Sequence, residues 1–147
     1  MKKVVKFGGS SLASASQFEK VGAIIREDES RRYVVPSAPG KRFSGDTKVT
    51  DLLYACYRSV GDEEKFQKIL NEIKERYQEI IDGLHLSLSL EEDFSLVEEN
   101  FKKQIGEEYA ASRGEYLNGK IMAAYLGFTF VDPAEMIRFD GNGQFDG

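Results

Sequence analysis

The chain has 147 residues, 41% of them hydrophobic, which suits one globular domain. Its formal net charge of -5 argues against a nucleic-acid partner, since a phosphate backbone calls for a basic face, yet leaves room for a nucleotide held by one lysine and a few backbone N–H groups. No stretch approaches the roughly 20 apolar residues of a membrane helix, Lys6 and two glycines interrupt the N-terminal apolar run too early for a signal peptide, and a single cysteine excludes an internal disulfide, so a soluble, cytoplasmic protein is expected.

Residues 2–7 form a β-rich run that stops at Gly8-Gly9. Phe18, Val21, Ile24 and Ile25 then recur at helical spacing, which predicts a helix over roughly 13–28, capped by Ser14 or Ser16. Tyr33-Val34-Val35 reads as a second strand, giving a β-turn-α-β unit and a mostly parallel sheet. The Pro- and Gly-bearing stretch 37–48 reads as a loop. Next comes a helix with Leu52, Leu53, Cys56, Tyr57 and Val60 on its apolar side, where Cys56 reads as a buried small hydrophobe rather than a nucleophile. Residues 63–82 give the clearest helical pattern, from Phe66 to Ile81, with Gly83 as the expected C-cap. Leu84, Leu86, Leu88 and Leu90 alternate like a strand but lack a partner, so 84–90 is expected to be an extended connector. His85 lies there without a second ligand or base and is a poor catalytic candidate. Further helices are expected over 91–106 and 114–126, the second ended by Gly127, followed by a third strand at Phe128–Val131. Asp132-Pro133 and Asn142-Gly143 signal turns, the latter a hairpin. The sequence stops in mid-hairpin, which makes a fragment the expectation.

The chemistry concentrates at strand ends. A strand delivers Lys6; Gly8-Gly9 brings the backbone close to whatever lies above it; Ser10-Ser11 add hydroxyls beside the start of a helix. This is neither a Walker A loop nor Gly-x-Gly-x-x-Gly. Taken alone it is either an anion site or a tight turn with no ligand. Ser37-Ala38-Pro39-Gly40 follows the second strand, at the sheet edge where ligands of parallel α/β proteins bind. Thr50 falls at another helix N-terminus. Glu115, in Ser112-Arg113-Gly114-Glu115, is expected at the opening of the helix 114–126, where it either complements the helix dipole or receives a substrate ammonium.

Lys6–Ala13, Lys-Phe-Gly-Gly-Ser-Ser-Leu-Ala, resembles the aspartokinase signature. Val49-Thr50-Asp51-Leu52-Leu53, Ser112–Glu115 and Phe130–Glu135 resemble its later blocks in the same order, so the resemblance runs through nearly the whole chain. It implies the amino-acid-kinase fold, an αβα sandwich around a mainly parallel sheet. It implies transfer of the ATP γ-phosphoryl, with Mg2+, to the β-carboxylate of L-aspartate, the entry to lysine, threonine and methionine biosynthesis. Carried over, Lys6 sits against the transferring phosphoryl as the catalytic residue, Gly8, Gly9 and Ser10 hold phosphates, and Ser37, Thr50 and Glu115 grip aspartate. A carboxylate acceptor is ionised at neutral pH and needs no general base, so positioning and charge neutralisation carry the chemistry. Pro36, Pro39 and Asn118-Gly119-Lys120 depart from the family pattern. The family's Gly-Arg-Gly-Gly-Ser-Asp block and its ACT regulatory domains have no counterpart here. Residues 1–147 are therefore expected to be the N-terminal portion of the catalytic domain, inactive alone and oligomeric when whole. The alternatives are a kinase of the same fold for glutamate, acetylglutamate or a nucleoside monophosphate, or a non-catalytic binding module.

Overall fold

β1 (Lys3–Phe7) and β2 (Arg31–Pro36) pair in parallel in the computed structural model, which describes residues 3–28 and 31–131. In their register Lys6 lies beside Val35 and Phe7 beside Pro36. Strand alternation sorts the side chains between two faces. Val5, Phe7 and Val34 pack on the hydrophobic core, while Val4, Tyr33 and Val35 of the other face are 66%, 52% and 43% exposed. Lys6 shares that open face and is itself exposed.

Helices occupy the core side. After β1 a short 3-10 turn (Gly9–Leu12) leads into α1 (Ala15–Arg26). Ser14 caps α1 by accepting from the Gln17 N–H at 3.4 Å. The expected cap at Ser14 or Ser16 is thus Ser14; it places the free N–H groups of α1 after Ser14 rather than beside Ser10-Ser11, and fully buried Leu12 lies in the intervening turn. α2 (Val49–Arg58), α3 (Glu63–Gly83), α4 (Glu91–Lys102) and α5 (Glu107–Leu126) follow. α3 is the axis of the packing; Phe66, Leu70, Ile73, Tyr77, Ile80 and Ile81 are all buried at 3–4 spacing, and α2 and α1 lie against it. Cys56 is fully buried on α2, with its Sγ 3.8 Å from the Phe66 carbonyl oxygen, and burial pushes its thiol up to about 12. Native protein is accordingly expected to resist iodoacetamide at pH 8, whereas urea-unfolded protein is alkylated quantitatively. Mass spectrometry of the two samples checks this, and equal labelling would contradict a buried thiol.

The end of α3 corrects the role given to Gly83, which is the last helical residue rather than the cap. Leu84 is the C-cap, and His85 takes the left-handed conformation (φ 58°). The Leu86 N–H donates to Ile81 O and the His85 N–H to Asp82 O, both at 3.1 Å, which is a Schellman closure. Gly83 serves another need: a Cβ there would stand 2.4 Å from the Ala15 Cβ. The connector 84–90 forms no strand; it folds Leu84 and Leu90 into the core and leaves His85 at the surface.

Three further expectations change. α4 stops at Lys102 because Gln104 turns left-handed (φ 55°), leaving Ile105 50% exposed instead of on an apolar face. α5 begins at Glu107, seven residues before the expected start. Glu107 and Glu108 fill its first turn, favoured by the helix dipole, and Ser112 is accommodated inside by donating from Oγ to Tyr109 O at 2.7 Å. Phe128–Val131 pairs with neither β1 nor β2; Phe130 instead packs edge-on against Tyr116, with ring centres 5.3 Å apart. The turn at Asp132-Pro133 and the hairpin signal at Asn142-Gly143 lie outside the described residues. No helix among the described residues is long and apolar enough to cross a membrane.

Candidate functional site

Ser37-Ala38-Pro39-Gly40, leaving the carboxyl end of β2, is the hub on which the site is built. The Ser37 N–H donates to Phe7 O at 3.1 Å, extending the ladder one step past the strand. The Gly40 N–H donates to Gly9 O at 2.8 Å. The two glycines touch so closely that a Cβ on Gly40 would lie 2.6 Å from the Gly9 carbonyl carbon, and one on Gly9 would lie 3.0 Å from Ala38 O. Gly8 differs: its backbone is extended (φ -79°, ψ 169°), and a Cβ there would meet nothing within 4 Å. The protein's own packing has no room for a side chain at 40 and little at 9; at 8 the space is open.

The same loop docks the helices that carry the other candidates. The Val49 N–H donates to Pro39 O at 3.1 Å, which ties the first residue of α2, and with it Thr50 in the first turn, to the loop. On α5, Gly114 is buried with room for no side chain, since its Cβ would fall 2.5 Å from the Ala38 Cβ and 3.3 Å from Leu53 Cδ1. The Tyr77 hydroxyl donates to Gly114 O at 2.7 Å, and burial raises the Tyr77 pKa far out of the physiological range. One helical turn on, fully buried Asn118 donates from Nδ2 to Ser37 O at 2.8 Å. Ser37 is thus gripped through its main chain on both sides.

Glu115 follows Gly114 in the third turn of α5, so the expectation of a carboxylate at a helix N-terminus is corrected, and the dipole explanation for it goes with that. Glu115 is exposed and lines a groove of ≈ 520 Å³ between α2 and α5, together with Tyr54, Arg58, Glu107 and Ser112. Arg58 and Glu107 pair with each other at 2.7 Å in its lining. No ion pair among the described residues engages Lys6 or Glu115. The structure therefore gathers the turn Gly8–Ser10, Ser37 and the α2 start around one loop, with Glu115 beside its contact on α5. Lys6 projects from the open face of the sheet at the same edge.

Two residues of this arrangement escape a reading of motifs. Arg76 is 5% exposed on α3 and donates from its two Nη atoms to Gly40 O at 2.7 Å and Thr47 O at 2.8 Å. Its charged type hid it among the Glu and Lys of α3, although its place three residues after Ile73 and four before Ile80 puts it on the apolar stripe. Asp46 sits 3.6 Å from Arg76 and 2.7 Å from Arg42 Nε, whose hydrogen bond holds its carboxyl well below the usual carboxylate range. Asn118 stood out only as a departure from a family pattern; its grip on Ser37 O is visible in the structure alone.

A β-α-β unit with parallel strands, and its candidate residues at their carboxyl ends, defines an α/β protein. The family model described as the amino acid kinase family matches residues 1–144, and the chain belongs to that family. It is 42% identical to aspartokinase 3 of Bacillus subtilis over 151 residues, which cover 97% of this chain and 33% of that protein. The crystal structure of Clostridium acetobutylicum aspartate kinase superposes with a TM-score of 0.84 at 47% identity, over 90% of this chain and 31% of that one. Escherichia coli aspartokinase III in complex with aspartate and ADP shares the fold, with a TM-score of 0.69 at 22% identity over 86% of this chain and 29% of that one. The chain thus spans about a third of the length of the relatives it matches.

Proposed function

We propose that this chain forms the front of an aspartate kinase, in which the turn Lys6–Ser11 holds the phosphates of ATP and Ser37, Thr50 and Glu115 hold L-aspartate. The observation that supports the reading is the interlock of Gly9 with Gly40, which sets the turn Gly8–Ser10 against the loop that follows Ser37 and leads to the start of α2. The open space over Gly8, flanked by exposed Lys6 and Ser10, fits a phosphate group, as no protein atom competes for it. Among the described residues no group of three or more His, Cys, Asp or Glu is placed to hold a metal, so no residue here is assigned to Mg2+.

ATP supplies the phosphoryl group when bound. The part of this chain is to place the Lys6 ammonium where negative charge accumulates during transfer, and to point the aspartate carboxylate at it through Ser37 and Thr50. The Glu115 carboxylate pairs with the α-ammonium of aspartate and so orients the acceptor. No side chain here has to remove a proton from it.

The test is a hydroxamate assay with ATP and L-aspartate on the intact protein, meaning the full-length enzyme of which this chain is the front. Lys6→Ala is expected to lower kcat by about 10²–10³-fold, the usual loss for a group that neutralises transition-state charge. Glu115→Ala is expected to raise KM for aspartate roughly tenfold or more while KM for ATP stays near wild type. Turnover with glutamate, acetylglutamate or a nucleoside monophosphate in place of aspartate would transfer the reading to another branch of the family. Unaltered kinetics in either variant would remove that residue from the site.

A further inference from the structure

We propose that Arg76 is a positioning residue for both substrates, holding the phosphate turn and the start of α2 from behind through the loop 40–47. The proposal rests on the reading of Lys6–Ser11 as the phosphate site given above.

The two carbonyls that Arg76 binds stand at opposite ends of the loop. Gly40 O, 2.7 Å from one Nη, belongs to the residue whose N–H holds Gly9 O at 2.8 Å. Thr47 O, 2.8 Å from the other Nη, directly precedes Lys48, the residue that caps α2, and lies three residues before Thr50. One planar guanidinium therefore fixes the separation of two backbone points, of which one backs the phosphate turn and the other backs the helix carrying a substrate contact. α3 buries Phe66, Leu70, Ile73, Tyr77, Ile80 and Ile81, so the loop is referenced to the core and not to the surface. Arg42 and Asp46 brace the outer side: Arg42 Nε donates to Asp46 Oδ2 at 2.7 Å, and Arg42 Nη1 reaches Glu79 on α3 at 2.8 Å.

Burial of a guanidinium is costly, and here its Nε is left without a partner. Geometry favours a guanidinium here: its planar fork reaches the two carbonyls from two nitrogens fixed relative to one another, whereas a lysine offers one nitrogen on a flexible stem and an apolar residue holds neither.

The experiment uses the intact protein, with wild type, Arg76→Lys and Arg76→Met compared by steady-state kinetics, thermal unfolding and amide exchange of residues 40–47. In Arg76→Lys, KM for ATP and KM for the carboxylate acceptor are expected to rise together, each about tenfold or more. Exchange at Gly40 is expected to accelerate by a similar factor. This joint rise separates Arg76 from Glu115, whose loss touches the acceptor alone. A lower unfolding temperature with both KM values and Gly40 exchange unchanged would mean a role in packing only, and would overturn the proposal. Should Arg76→Met fail to fold, Arg76→Lys decides. Failure of the wild type to saturate with ATP would instead overturn the phosphate-site reading, an outcome visible before any variant is made.

Discussion

Gly40→Ala is expected to destabilise the protein by about 3 kcal/mol and to abolish measurable saturation by ATP. The added Cβ would stand 2.6, 2.8 and 2.9 Å from the Gly9 carbonyl carbon, the Ser10 nitrogen and the Gly9 oxygen. All three are main-chain atoms, so no side chain can rotate away. The turn and the loop must part, which breaks the 2.8 Å bond from the Gly40 N–H to Gly9 O and leaves both groups seeking partners at the edge of the core. Overpacking against flexible neighbours costs about 1–3 kcal/mol, and rigid neighbours place this change at the upper end. Urea titration of the intact protein with the denaturation slope held in common measures the loss. An unchanged midpoint would show that the two glycine turns are not interlocked. Gly8→Ala is the control, because a Cβ at Gly8 meets no protein atom; any loss of ATP affinity there comes from the ligand side.

Gly114→Ala should be destabilising by about 1–2 kcal/mol, against the ordinary trend. Alanine in the interior of a helix gains about 1 kcal/mol over glycine, and α5 runs for 20 residues with Gly114 well inside it. The Cβ, however, would lie 2.5 Å from the Ala38 Cβ and 3.3 Å from Leu53 Cδ1. Relieving that clash pushes α5 away from the loop 37–40 and strains the Tyr77–Gly114 and Asn118–Ser37 hydrogen bonds. Because Glu115 is the next residue, KM for aspartate is expected to rise as well. Ala38→Gly in the same protein removes the opposing methyl and should recover most of the loss, a coupling that a double-mutant cycle measures. A variant more stable than wild type would refute the close approach of α5 to the loop.

Gly114 also shows where a sequence misleads. A glycine inside a polar stretch reads as a boundary, so α5 was expected to start there; the buried glycine marks two backbones brought together, and no single-chain pattern distinguishes those uses. Repeating patterns fared better. The 3–4 spacing of Phe66 to Ile81 located α3 to within a residue, and Ser14 announced the start of α1, because burial of one face and satisfaction of end N–H groups are local demands. Phe128–Val131 has strand-like composition, yet a strand exists only with a neighbour, and the described residues provide none. Of the residues proposed for the site, Lys6, Gly8, Gly9, Ser10 and Ser37 stand where the sequence pattern puts them, at or just past strand ends. Arg76 was illegible as a site residue, since its partners are carbonyl oxygens, which every residue possesses and no motif records.

Ser37 is held by its N–H on Phe7 O and by its own carbonyl under Asn118, and neither bond involves its hydroxyl. Position and chemistry are thereby uncoupled at this point of the chain. A different side chain at 37 would inherit the same backbone location, so under the proposed function acceptor preference could change there while the scaffold stays in place. Residues such as Gly40, where the backbone contact and the missing side chain are one requirement, have no such latitude. The loop thus combines a locked position and an adjustable one three residues apart, so a side chain can be exchanged at 37 without disturbing the backbone that carries it.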